Sequence, residues 1–191
     1  MMPELVFATN NRHKTEEVGS LLDGQYKVLN LSDIGCTTDI PETGATFAEN
    51  ATLKSRYVVD HYQLDCFADD SGLEIEALNN EPGIFSARYS GIKDDGANLK
   101  LVLQKMEGIA NRKANFRTVI SLIRNNEVFL FEGVIYGNIR ETPAGSQGFG
   151  YDPIFEPLGY DYTFAEMTMA KKNQISHRAL AMQKLIAFLK G

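Results

Sequence analysis

Two apolar, β-prone runs, Phe116 to Ile123 and Val128 to Tyr136, flank the pair Asn125-Asn126, and asparagine tolerates the positive φ angles of a tight turn. The spacing predicts a β-hairpin, so the chain needs an antiparallel sheet component. The other end reads differently. Leu5-Val-Phe-Ala8 is a short apolar run ending in Thr9-Asn10-Asn11, and Val18, Leu21 and Leu22 then recur at helical spacing, which makes a βα unit. A hairpin and a βα unit in one chain imply an α/β fold with a mixed sheet. Between them, a strand is expected around Tyr26 to Leu31. Thr46-Phe-Ala-Glu49 has the form of a capping box opening a helix toward Tyr62. Cys66-Phe-Ala68 reads as a short strand delivering a turn at Asp69-Asp70-Ser71-Gly72, with Leu73, Ile75 and Ala77 alternating as a second strand. Leu99, Val102, Leu103 and Met106 mark a further helix, and Leu180, Leu185, Ile186 and Leu189 mark a last one.

No repeats, linkers or low-complexity tracts divide the sequence. A chain of 191 residues that is 43% hydrophobic and 23% charged builds one sizeable core. One domain over residues 1–191 is expected, with two lobes around a long mixed β-sheet flanked by helices and an active-site cleft between the lobes. The net charge of −6 argues against a partner such as duplex DNA, because phosphate-backbone binders concentrate positive charge. No run approaches membrane-spanning length and the N-terminus does not resemble a signal peptide, so neither a nucleic-acid nor a membrane partner is expected. Cys36 and Cys66 lack CxxC spacing, which favours reduced thiols and a cytoplasmic location.

Four features carry chemistry. In Gly145-Ser-Gln-Gly-Phe-Gly-Tyr-Asp-Pro-Ile-Phe155, three glycines allow close backbone approach, while Phe149, Tyr151 and Asp152 offer a flat apolar surface beside a hydrogen-bonding acid. A planar polar ligand such as a nucleobase fits, and a tight turn with incidental aromatics is the alternative. Second, Arg12, His13 and Lys14 follow the N-cap candidate Asn11, and Lys171, Lys172, His177 and Arg178 gather around a helix start at Ser176. Cations at helix N-termini are unfavourable by about 0.3 to 1 kcal/mol each unless an anion joins them, so the pattern invites a phosphate, or else marks two solvated basic turns. Third, Phe47, Ala51, Lys54 and Val58 share one helical stripe, which puts a lysine where the buried face should be apolar. Lys54 either snorkels or points, beside Asn50, at the same anion.

Fourth, Asp69 and Asp70 precede Ser71-Gly72 at a strand end, where open α/β sheets place ligands. Successive residues on an extended segment face opposite ways, so one acid reaches the site and the other supports the turn. A carboxylate beside a polyphosphate requires a divalent cation between them, and Mg²⁺ takes one or two carboxylates plus phosphate oxygens and waters. Glu42 in Pro41-Glu-Thr-Gly44 is the best second acid. An Asx-capped turn and a solvent-facing loop acid are the alternatives for the two sites. No P-loop, GxGxxG, HExxH or DxD pattern is present, and His13, His61 and His177 are scattered. A water-attack hydrolase is left.

Phe-Ala-Thr-Asn-Asn-Arg-His-Lys14, Pro-Glu-Thr-Gly44, Phe-Ala-Glu-Asn-Ala51 with Lys54, Ala-Asp-Asp-Ser-Gly-Leu73, Pro-Gly-Ile-Phe-Ser-Ala-Arg-Tyr-Ser-Gly91, Gly-Phe-Gly-Tyr-Asp-Pro-Ile-Phe155 and Ile-Ser-His-Arg178 together resemble the inosine/xanthosine triphosphate pyrophosphatase family. The resemblance spans nearly the whole chain, in order. It implies hydrolysis of non-standard purine nucleoside triphosphates (dITP, ITP, XTP) to monophosphate and pyrophosphate by a Mg²⁺-dependent homodimer, which cleanses the nucleotide pool. It also implies roles: Asp70 as general base and metal ligand, Glu42 as the other metal acid, and Thr9, Asn10, Asn11, Arg12, His13, Lys14, Lys54 and Ser71 as the triphosphate grip. Phe149, Gly150, Tyr151, Asp152, Lys172, His177 and Arg178 fall on the base-recognition side. The family often has Gly at the place of Asn10, and related eukaryotic enzymes have Trp at that of Tyr151. A nucleotide-binding sensor without turnover and a pyrimidine-triphosphate pyrophosphatase are the alternatives.

Overall fold

The computed structural model describes residues 3–22, 24 and 26–191. The sheet is mixed, as the hairpin and the βα unit require. Its strands are β1 (Glu4–Phe7), β2 (Lys27–Leu29), β3 (Cys66–Ile75), β4 (Glu81–Pro82), β5 (Lys113–Arg124), β6 (Glu127–Ile139) and β7 (Phe155–Pro157). Their order is β2-β1-β3-β5-β6-β7, with β4 also paired to β3. β1 runs parallel to both β2 and β3, whereas β3–β4 and β6–β7 are antiparallel. The hairpin turn is where the asparagine pair puts it, with φ of 51° at Asn125 and 65° at Asn126.

The chain divides into two compact units, one of Met1–Asp70, Thr118–Gly133 and Ala179–Gly191, the other of Ser71–Arg117 and Val134–Arg178. β3, β5 and β6 each contribute residues to both. In the first unit, period-two alternation sorts the strand residues onto two faces. Leu5, Phe7 and Phe67 pack with Val18 and Leu22 of α1 (Arg12–Leu22) and with Ala181, Met182 and Leu185 of α5 (His177–Lys190). Val6, Ala8, Cys66 and Ala68 pack on the other face with Val58 of α2 (Phe47–Tyr62). Because both faces are covered, Leu5 to Ala8 form an uninterrupted apolar run. Phe7 and Phe67 are directly paired across β1 and β3, and their rings stack at 4.6 Å. The second unit has its own core, in which Leu73 and Ile75 meet Val102 of α3 (Asp95–Lys105), Phe116, Ile139, Phe155 and Phe164. Among the described residues, no helix is long and apolar enough to cross a membrane.

Three expectations need correction. Asp69-Asp70-Ser71-Gly72 is not a turn between two strands: β3 is continuous from Cys66 to Ile75, and Ala77 lies in a one-turn 3-10 helix (Glu76–Leu78). Small and acidic residues have poor β propensity, but pairing with the neighbouring strands overrides it. Lys171 and Lys172 do not belong to the start of the last helix. They lie in a separate helix α4 (Met169–Ile175), whose C-cap Ser176 is extended (φ −66°, ψ 156°). Lys172 therefore stands in a last turn, where a cation is favourable, and only His177 and Arg178 open α5. Finally, the capping box of α2 is one-sided. Thr46 accepts from the Glu49 N–H, but Glu49 reaches the N–H of Ala45 at 2.6 Å instead of that of Thr46.

Candidate functional site

The parity that sorts the core also sorts the acids. Asp69 follows Phe67 onto the α1 face, and Lys14 of α1 donates to its Oδ1 at 2.9 Å. Asp70 follows Ala68 onto the α2 face, and there Asn50 Nδ2 donates to its Oδ2 at 3.0 Å. Lys54, one turn after Asn50, is ion-paired with Glu42. Asp69 and Asp70 are both buried, at 2% and 6% exposure. Lys54 thus neither snorkels nor packs among apolar groups: it joins a cluster of Glu42, Asp69, Asp70 and Lys14.

Burial alone would lower the Lys54 pKa, but the carboxylates of Glu42, Asp69 and Asp70 more than offset it and hold the ammonium above its usual range. Burial pushes Asp70 the other way from a free carboxyl, upward. Lys54 and Lys14 oppose that shift, Glu42 reinforces it, the Asn50 hydrogen bond opposes it, and the net value stays raised. Three carboxylates against two ammonium groups leave one negative charge in excess. Carboxylate oxygens are the donors a hard divalent cation prefers, so Glu42 and Asp70 suit one. Among the described residues no three His, Cys, Asp or Glu side chains form a ready metal group. A cation here would draw the rest of its shell from donors other than these side chains.

At the first strand-to-helix junction, Asn11 caps α1 by accepting from the Lys14 N–H, and Thr9 Oγ1 accepts from the Asn11 N–H. Asn10 and His13 are exposed, and Ser32 donates to the Asn10 side chain. Arg12 is exposed and bonded along its own helix to Glu16 at 2.8 Å, whereas Lys14 is paired with Asp69 of β3.

The second unit holds an aromatic ring in contact with two cations. Lys172 Nζ stands 4.9 Å and the Arg178 guanidinium 5.8 Å from the centroid of Phe149. Asp152, itself buried, fixes this arrangement: its Oδ2 accepts from Lys172 Nζ at 2.7 Å and from the Phe149 N–H at 2.9 Å. Gly150 is pinned through its N–H to Asp95 of α3. The Tyr151 ring belongs to the core, with its hydroxyl donating to the Ser86 carbonyl at 2.8 Å, so Phe149 alone supplies the flat surface and Tyr151 anchors the loop. Burial drives the Tyr151 pKa far up, as suits a phenol kept neutral to donate. Arg178 Nη2 also reaches Ser71 Oγ at 3.3 Å, and His177 is buried, stacked on Phe116 at 4.7 Å. The sequence assigns no role to Asp95, nor to Ser86 beyond its place in the motif ending at Gly91, because nothing local ties them to the Gly148 loop. In the sequence Asn50 stands beside Lys54, and the fold makes it the partner of Asp70.

Gly148 is required where it stands. Its φ is +74°, and a Cβ there would lie 2.0 Å from Asp152 Oδ2. The left-handed backbone costs an alanine about 1–2 kcal/mol, and the overlap would also push Asp152 off Phe149 and Lys172. Gly148→Ala is therefore expected to lower the melting temperature and to raise the nucleotide KM. An unchanged KM would show that the Asp152 clamp does not shape the ligand surface.

Fold and side chains describe an α/β protein with a lysine-flanked acid cluster on one unit and a cation-flanked aromatic loop on the other. Its relatives are well defined. The pattern of the Ham1 family matches residues 5–188. The dITP/XTP pyrophosphatase of Flavobacterium psychrophilum is 52% identical over 98% of this chain and 100% of its own. That of Bacillus subtilis is 44% identical over 100% and 99%. The Ham1 protein structure from Staphylococcus aureus superposes with a TM-score of 0.90 at 43% identity, covering 98% of each chain. The chain belongs to the Ham1 family.

Proposed function

We propose that the protein hydrolyses non-standard purine nucleoside triphosphates, dITP, ITP and XTP, to the nucleoside monophosphate and pyrophosphate. The observation that carries this reading is the acid cluster around Asp70, buried yet flanked by Lys14 and Lys54. The names of the relatives support the substrate class. Residues 1–191 act as one catalytic domain. Lys14 and Lys54 grip the outer phosphates, assisted by the backbone N–H groups that open α1. Burial keeps Asp70 basic enough to take a proton from the water that attacks the α-phosphorus. The base lies on Phe149, where Lys172 and Arg178 present donors to its carbonyl oxygens. Glu42 and Asp70 would hold Mg²⁺, which supplies neutralisation of phosphate charge.

We assign the protein to the cytoplasm, a compartment that keeps its buried thiols Cys36 and Cys66 free. A second copy of the chain is the assigned partner. Tyr136 of β6 and Leu158, just after β7, are adjacent through a backbone hydrogen bond and 60% and 63% exposed, and they offer it an apolar surface.

Product analysis over ITP, dITP, XTP, GTP and ATP with Mg²⁺ tests the reading. Pyrophosphate and monophosphate are the expected products of the first three. Orthophosphate with a nucleoside diphosphate would mark a phosphatase, and tight binding without turnover would mark a sensor.

A further inference from the structure

Asn50 is 1% exposed at the start of α2, and both ends of its carboxamide are engaged. Oδ1 accepts from the Gly44 N–H at 2.8 Å, and Nδ2 donates to Asp70 Oδ2 at 3.0 Å. The orientation is forced: a backbone N–H only donates, so the amide oxygen must face Gly44 and the amide nitrogen must face the acid. Gly44 is two residues beyond Glu42, which is itself paired with Lys54 on the next turn of α2. The approach is close. A Cβ on Gly44 would lie 2.8 Å from Asn50 Oδ1 and 2.6 Å from Glu49 Cβ, so only glycine allows the loop to reach the carboxamide.

We propose that Asn50 is a positioning residue of the pyrophosphatase site: its carboxamide bridges Asp70 on β3 to the Glu42 loop, holding the plane of the Asp70 carboxylate and the spacing of the two acids. This rests on the pyrophosphatase reading of that site. Without the bridge, the Asp70 carboxylate loses a hydrogen bond that sets its plane, and the loop bearing Glu42 keeps its ties to Lys54 and Glu49 of α2 but loses the one that links it to Asp70. Partners of this kind, bonded to a ligating carboxylate, typically change metal affinity or activity by about 10- to 100-fold.

Two variants separate the ends of the bridge. Asn50→Ala removes both hydrogen bonds. Asn50→Asp keeps the shape and the acceptor for Gly44 but sets a second carboxylate oxygen against Asp70. Each is measured for kcat and KM with ITP, for melting, and for the affinity of Mn²⁺ in the absence of nucleotide by the loss of its free-ion resonance signal. The expected result for both is a kcat lower by roughly 10- to 100-fold with a KM close to wild type, and an altered Mn²⁺ affinity. If Asn50→Ala loses its cooperative melt, Asn50→Asp decides. Wild-type turnover and Mn²⁺ affinity in a folded variant would overturn the proposal. So would a lost turnover that merely follows a lowered melting temperature while Mn²⁺ affinity stays unchanged. Failure of the pyrophosphatase reading looks different, since the wild-type protein would then release no pyrophosphate from ITP while the Mn²⁺ measurement still tests Asn50.

Discussion

Asp70→Asn is expected to lower turnover on ITP by about 10²-fold or more while changing nucleotide affinity much less, and to melt at or above the wild-type temperature at alkaline pH. The kinetic half follows from chemistry. The amide keeps the size of the acid but has neither its charge nor its basicity, and the proton of the attacking water loses its acceptor. The stability half follows from burial. Asp70 holds its proton more tightly in the folded protein than in the unfolded chain. As pH rises from the ordinary carboxylate range through that raised value, the unfolded state has already released the proton that the folded state retains. Folding stability contributed by this group therefore falls with rising pH, and beyond the raised value the ionised form is a standing cost. The amide has no such slope, and its oxygen still accepts from Asn50 Nδ2. Melting curves of both proteins in chelator across the pH range test this. A wild-type advantage that grows toward alkaline pH would mean that the two lysines, and not burial, dominate the acid. Full turnover in the variant would remove Asp70 from the chemistry.

Arg178→Ala is expected to cost ITP hydrolysis far more than residual ATP hydrolysis. Hypoxanthine and xanthine carry a carbonyl at the six position, where adenine carries an amine. A cationic donor satisfies the carbonyl and leaves the amine facing a group with no acceptor. Sites built on such a hydrogen bond reject the analogue lacking it by roughly 10⁴-fold, so the wild-type preference for ITP over ATP is expected to approach that size and to shrink in the variant. Arg178 opens α5, 2% exposed, beside the Phe149 ring and near Ser71 Oγ. Its burial means that the alanine also loses packing, so Arg178→Lys serves as the companion: it keeps a cation and gives up the planar fork. Equal losses on ITP and ATP in both variants would assign Arg178 to the phosphates or the fold.

What the sequence determined by itself is whatever neighbouring residues settle among themselves. Apolar periodicity marked β1, α1, α2, α3 and α5, Asn125-Asn126 announced the hairpin, and Thr46 and Asn11 announced their caps. The lysine interrupting the α2 stripe left a charged site and a snorkelling side chain as its two readings, and the ion pair with Glu42 decides for the first. Partner choice was beyond its reach. Lys14 meets Asp69 across 55 positions and Asn50 meets Asp70 across 20, and those pairings exist because β3 runs unbroken through Asp69 to Gly72 with α1 on one face and α2 on the other. Local propensity argued for a turn there, and sheet pairing prevailed. Tertiary packing likewise separated α4 from α5 at Ser176, turned the Tyr151 ring inward onto the core, and brought Asp95 to Gly150. Each outcome rests on burial and on hydrogen bonds between segments far apart in the chain, and such energies arise only once the chain has closed on itself.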